Sequence, residues 1–141
     1  MTVRQAWGQL RDFRTFAATD YFHADPQVEG GRPRAGAALT LRHRFGPFAL
    51  TRVGRILRWV EWPGDRPGFA FSDLSRRGAR VGFPHAISFH LTPSGDASLL
   101  HIRVGGRWTP PVPRPLSRLW LAWVFHHIVS TTRRRLLAMK R

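Results

Sequence analysis

The chain has no cysteine, which excludes a disulfide framework and any thiolate metal site. It is also poor in acid: eight Asp and Glu stand against 23 Lys and Arg, a formal charge of +15. Such a surface attracts phosphates and anionic headgroups. Yet Lys140 is the single lysine, and so lopsided a choice of cation is what a GC-rich genome produces without any demand from function. No apolar run approaches the ~20 residues that cross a bilayer. The longest weakly polar run, Leu119 to Val129, is interrupted by His126 and His127. Met1-Thr2-Val3-Arg4-Gln5-Ala6-Trp7 lacks the charged start and apolar stretch of a signal peptide, so the expected compartment is cytoplasmic. Internal repeats and long low-complexity tracts are absent as well.

What is present is globular. With 141 residues and 43% hydrophobic composition, the chain should form one domain, 1–141, and bury roughly two-thirds of its unfolded surface. Its 13 glycines and 11 prolines belong at turns. Ala6, Trp7, Leu10, Phe13 and Phe16 recur at three- and four-residue spacing, which predicts a short amphipathic helix capped by Thr2. Asp20 to Pro26 reads as an irregular turn and Glu29 to Gly36 as a hairpin-like connection.

From Ala37 the period becomes two, with Leu39, Leu41, His43 and Phe45 on one face. Phe48 to Trp62 predicts a longer strand whose alternation slips near Gly54, as at a bulge. Pro63 to Gly68 is the clearest turn. Phe69 to Asp73 gives another strand, followed by a basic loop, Arg76 to Arg80. Two further strands, one carrying Ile87, Phe89 and Leu91 and the other Leu100, Ile102 and Val104, flank the turn Pro93 to Asp96. Pro110 to Pro113 is a stiff approach to a last helix, Leu116 to Leu137, opened by Arg114-Pro115. There Leu116, Trp120, Trp123, Val124, His127 and Thr131 share one stripe, while Leu121 and Phe125 fall away from its centre. That apolar surface is wider than one sheet contact requires.

This order of elements, with Ala6-Trp7 and Leu10-Arg11-Asp12-Phe13, Gly36 before a strand, Phe71-Ser72-Asp73, Phe83-Pro84-His85 before Ile87-Ser88-Phe89, and Gly105-Gly106-Arg107-Trp108, resembles the START-like, polyketide-cyclase and lipid-transport (SRPBCC) superfamily. The resemblance covers nearly the whole chain. It implies an α+β helix-grip fold, a curved antiparallel sheet of about six strands wrapped on the long C-terminal helix, and a cavity between the two. Members usually begin with a strand ahead of the first helix, and only Met1 to Arg4 is available for one here. Relatives hold sterols, lipids, polyketides, quinones or hormones in that cavity, and some catalyse cyclisation or dehydration.

The expected partner is therefore a hydrophobic or amphipathic small molecule, walled by Phe71, Phe89, Leu100, Trp120 and Trp123 and oriented by His43, His85 and His127. His43 is notable for sharing an apolar strand face. Core burial with one hydrogen-bond partner is the plainer explanation of each histidine. Asp73 could orient a histidine, but a turn cap or a pair with Arg76 and Arg77 is the simpler role. If the chain were a cyclase or dehydratase, His43 or His127 would be the general base, with Asp73 orienting it. No metal or other cofactor is expected: His126 and His127 diverge by about 100° on a helix, and His43, His85 and His127 could converge only through tertiary geometry. Peripheral contact with an anionic membrane stays open, because the tryptophan-rich run is followed by Arg133, Arg134, Arg135, Lys140 and Arg141. Nucleic acid ranks last, since the aromatics cluster on a helix instead of interleaving with arginines on an open sheet. The chain is expected to be a monomer or homodimer.

Overall fold

Thr2 sets where the chain first becomes helical. Its Oγ1 accepts from the Gln5 backbone N–H at 3.3 Å, and its own N–H donates to Gln5 Oε1 at 2.9 Å. This reciprocal capping box opens α1, Val3–Leu10, whose buried face carries Val3, Ala6, Trp7 and Leu10. The helix expected to run through Phe16 is in fact two, because the chain turns at Arg11 and Asp12 before α2, Phe13–Ala18. The break aims Phe13 at Phe69 and Phe71, with ring centres 5.4 Å apart in both pairs. Phe16 lies 4.7 Å from Phe89 in the same way.

A computed structural model describes residues 1–18, 23–45, 47–73, 83–109 and 111–138. Six strands follow the two helices: β1 His23–Val28, β2 Ala38–Phe45, β3 Phe48–Val60, β4 Gly68–Ser72, β5 His85–Ser94 and β6 Ala97–Gly106. They pair antiparallel in chain order, β1 to β6, and α3, Arg114–Ala138, ends the fold. The architecture is α+β, with short N-terminal helices, a six-stranded antiparallel sheet and a long C-terminal helix, consistent with a helix grip. Among the described residues no helix is long and apolar enough to cross a membrane.

Two further expectations need correction. The supposed irregular turn to Pro26 contains β1 from His23 onward, and residues 19–22 lie outside the described residues. Asp25 takes φ 47° and the pairing register shifts between Ala24 and Gln27, so an irregularity hides the two-residue period. Pro26 is tolerated because β1 is an edge strand. In β3 the slip expected near Gly54 is present, as a shift in the pairing with β4 between Ile56 and Arg58. Gly54 is needed for a different reason: a Cβ there would meet the Ser72 carbonyl oxygen at 1.8 Å and Asp73 Cα at 2.8 Å.

The other correction concerns α3. It buries Val124, Ile128 and Thr132, whereas Leu116 and Trp123 of the expected stripe are 57% and 48% exposed. Phe13 and Phe16 already occupy the middle of the inward sheet face, so α3 meets the sheet chiefly at β6. The basic loop Arg76 to Arg80 lies outside the described residues.

The sheet is strongly curled. Laid flat, β1 and β5 would stand about 19 Å apart at about 4.8 Å per strand, yet the rings of His23 on β1 and His85 on β5 are 5.4 Å apart. Inward-pointing side chains close part of that span and curvature closes the rest.

Candidate functional site

The curl gathers five polar side chains that the rest of the inward face would not accommodate. His43 follows Leu39 and Leu41 along β2, and His23 lies directly across from it on β1. His85 opens β5, with Ile87 and Phe89 next on the same face. Asp73 stands one residue beyond β4, held close to β3 by the bare Cα of Gly54. Arg52 shares its inward parity with Gly54 and Ile56 on β3. All five are buried, at 2–7% exposure.

Asp73 is the hub. Its Oδ1 accepts the His85 backbone N–H at 2.6 Å, and its Oδ2 accepts Arg52 Nη1 at 2.9 Å. The same Oδ2 lies 3.3 Å from His43 Nε2 and 3.3 Å from His85 Nδ1. His85 Nδ1 is also 3.0 Å from the Phe83 carbonyl. Because a carbonyl only accepts, that nitrogen carries a proton and donates it. Ser72 Oγ donates to the His85 carbonyl at 3.0 Å, tying the end of β4 to the start of β5.

Electrostatics follow from burial. Burial is the main force lowering His43, joined by repulsion from His23, His85 and Arg52; Asp73 opposes them but does not prevail, and the imidazole falls to about 3. Burial alone would raise the Asp73 carboxyl. The hydrogen bonds and charge of His85, together with His43, outweigh that and hold it at about 2. At neutral pH the cluster therefore contains a neutral His43 and an ionised Asp73 paired with Arg52.

Beside it are three histidine rings in mutual reach. Ring centres are 4.7 Å apart for His23 and His43, 5.4 Å for His23 and His85, and 5.6 Å for His43 and His85. One ring nitrogen from each lies within 4.8 Å of the others.

A separate, half-open apolar cavity of about 350 Å³ lies between α1, the β5–β6 hairpin and α3. Ala6, Leu91, Leu100, Ile102, Val129 and Leu136 supply its apolar wall, with Thr132 and Arg133 as polar members. None of the five cluster residues lines it.

Of the residues singled out from sequence, His43, His85 and Asp73 thus meet in the cluster, and Leu100 lines the cavity. Asp73 does form an ion pair, but with Arg52; Arg76 and Arg77 lie outside the described residues. Phe71 and Phe89 are core residues packed on Phe13 and Phe16. Trp120 is half-buried against Phe83 and Trp108, at 6.3 and 5.3 Å, and Trp123 leans on it at 5.0 Å. His127 packs 6.3 Å from Trp123 and is not one of the three converging histidines. His23 and Arg52 were not anticipated. The irregularity in β1 concealed the first, whereas an arginine in step with Ile56 was a readable signal for the second. Comparison with family models, curated proteins and solved structures finds no match to this chain.

Proposed function

We propose that the protein binds a hydrophobic or amphipathic small molecule, of the lipid, quinone or polyketide kind, in the cavity between α1, β5–β6 and α3. The observation that carries this reading is the cavity itself: about 350 Å³ and mostly apolar, within the roughly 300–1,000 Å³ of ordinary ligand sites. Arg133 on its wall would meet the anionic end of an amphipath. The START-like resemblance supports the same use, at the β6 side of the sheet instead of its centre.

A fluorescent fatty acid tests this directly. The parent protein should bind it saturably with unit stoichiometry, and Leu100→Trp, which fills the cavity, should weaken binding at least about tenfold without altering the circular dichroism. Absence of saturable binding to the parent, or equal binding to the folded Leu100→Trp protein, would overturn the reading.

The cyclase or dehydratase alternative draws support from the Asp73 contacts to His43 and His85, the carboxylate–imidazole pairing a general base needs. Pure binding is favoured over it because those side chains do not line the cavity.

A further inference from the structure

We propose that His23, His43 and His85 form a binding site for a divalent transition-metal ion, with Zn²⁺ the ion whose chemistry fits best. Three inward imidazoles gathered in one place, beside the buried Asp73–Arg52 pair, interrupt a face whose neighbouring positions are Leu39, Leu41, Ile87 and Phe89. They are a good way to hold an ion. Neutral imidazole is the commonest protein ligand for zinc, and three of them leave one position of a tetrahedron open.

The distances agree. Zinc–nitrogen bonds of about 2.0–2.1 Å place donor nitrogens about 3.3 Å apart and ring centres about 5 Å apart in a tetrahedral site. The observed centres span 4.7–5.6 Å, and the donor nitrogens lie within 4.8 Å of one another. Small ring rotations close the remaining gap.

The surroundings of the rings also fit. His85 gives Nδ1 to the Phe83 carbonyl and faces Asp73 with the same atom, leaving Nε2 for an ion. That is the outer arrangement by which metal-binding histidines are held in one tautomer and one orientation. Asp73 is not one of the converging donors; its oxygens accept the His85 backbone N–H and Arg52. The donor set is nitrogen only, which suits zinc, copper or nickel and disfavours magnesium or calcium.

The three ligands come from β1, β2 and β5. An ion there would cross-link an edge strand to one four places away in the sheet, pinning the curl. The site is independent of the cavity proposed to bind an amphipath, so either idea can fail alone.

Chelator-treated protein titrated with Co²⁺ and then Zn²⁺ tests this. One equivalent of Co²⁺ should produce the intense visible absorption of a four- or five-coordinate ion, one equivalent of Zn²⁺ should displace it, and Zn²⁺ should raise the melting temperature. His43→Phe should weaken Zn²⁺ binding by more than about 100-fold, because losing even an outer partner costs about 10–100-fold. The stacked surface pair His90 and His101, 4.5 Å apart, is the internal control. The His90→Ala, His101→Ala double variant should bind as the parent does. Weak absorption like that of the aqueous ion, or binding that disappears in the double variant, would overturn the proposal. If His43→Phe does not fold, the parent spectrum and the double variant decide it.

Discussion

Asp73 is the residue whose loss should cost most. It is buried, and it neutralises an arginine that is buried with it. Asp73→Asn keeps the shape but leaves Arg52 without its counter-charge, so unfolding in denaturant should show a loss of about 3–5 kcal/mol. Adding Arg52→Met should recover much of that loss, and a double-mutant cycle measures how much. Acid should act on the same cluster. In the metal-free protein His43 is lowered to about 3 from 6.5, so between those pH values the unfolded chain binds the extra proton and stability falls as pH falls. The slope should be about 1.4 kcal/mol per pH unit for this one group. Asp73, lowered to about 2 from 3.8, adds to the loss only below about pH 4, by the same sign. Melting temperatures from pH 7 to pH 4 should decline less steeply in His43→Phe than in the parent; parallel curves would refute the assignment. At this scale His43 and His85 were legible from strand parity alone. His23 was not, because Asp25-Pro26 breaks the alternation on which parity depends.

At the scale of elements, the hairpins and the last helix were legible because period two, period 3.6 and the Pro-Gly turns are local signals. Which face of α3 would be buried was not. That depended on Phe13 and Phe16 reaching the sheet first, a contact between segments far apart in the chain. Gly54 shows the same limit: its role lies in the backbone of another strand. Gly54→Ala should destabilise the fold by about 2–4 kcal/mol, as overpacking against rigid backbone does. It should also disturb Asp73, so the loss ought to be smaller in an Asp73→Asn, Arg52→Met background; chemical denaturation of the four proteins checks both points. Glu61 is an opposite kind of device. Its two carboxylate oxygens accept the indole N–H groups of Trp7 and Trp59, each at 2.9 Å, which latches α1 onto the end of β3.

For the whole molecule, the formal charge of +15 and the exposed Leu116, Leu119 and Trp123, which share one face of α3, are the two features that a test on anionic liposomes separates. Liposomes containing phosphatidylserine should carry the protein upward in a flotation gradient at low ionic strength. The association should fade as the Debye length shrinks from about 10 Å at 0.1 M salt to about 3 Å at 1 M. Retention at high salt would mean that the apolar face of α3 dominates instead, and Trp123→Ala would then release it.

The aromatic series running out from the cluster has an optical consequence. His85 stacks on Phe83 at 5.9 Å, Phe83 meets Trp120 at 6.3 Å, and Trp120 meets Trp123 at 5.0 Å. A ring that rotates at His85 therefore changes the asymmetric surroundings of two coupled indoles near the molecular surface, so events in the buried interior can be read in near-ultraviolet circular dichroism without attaching any label.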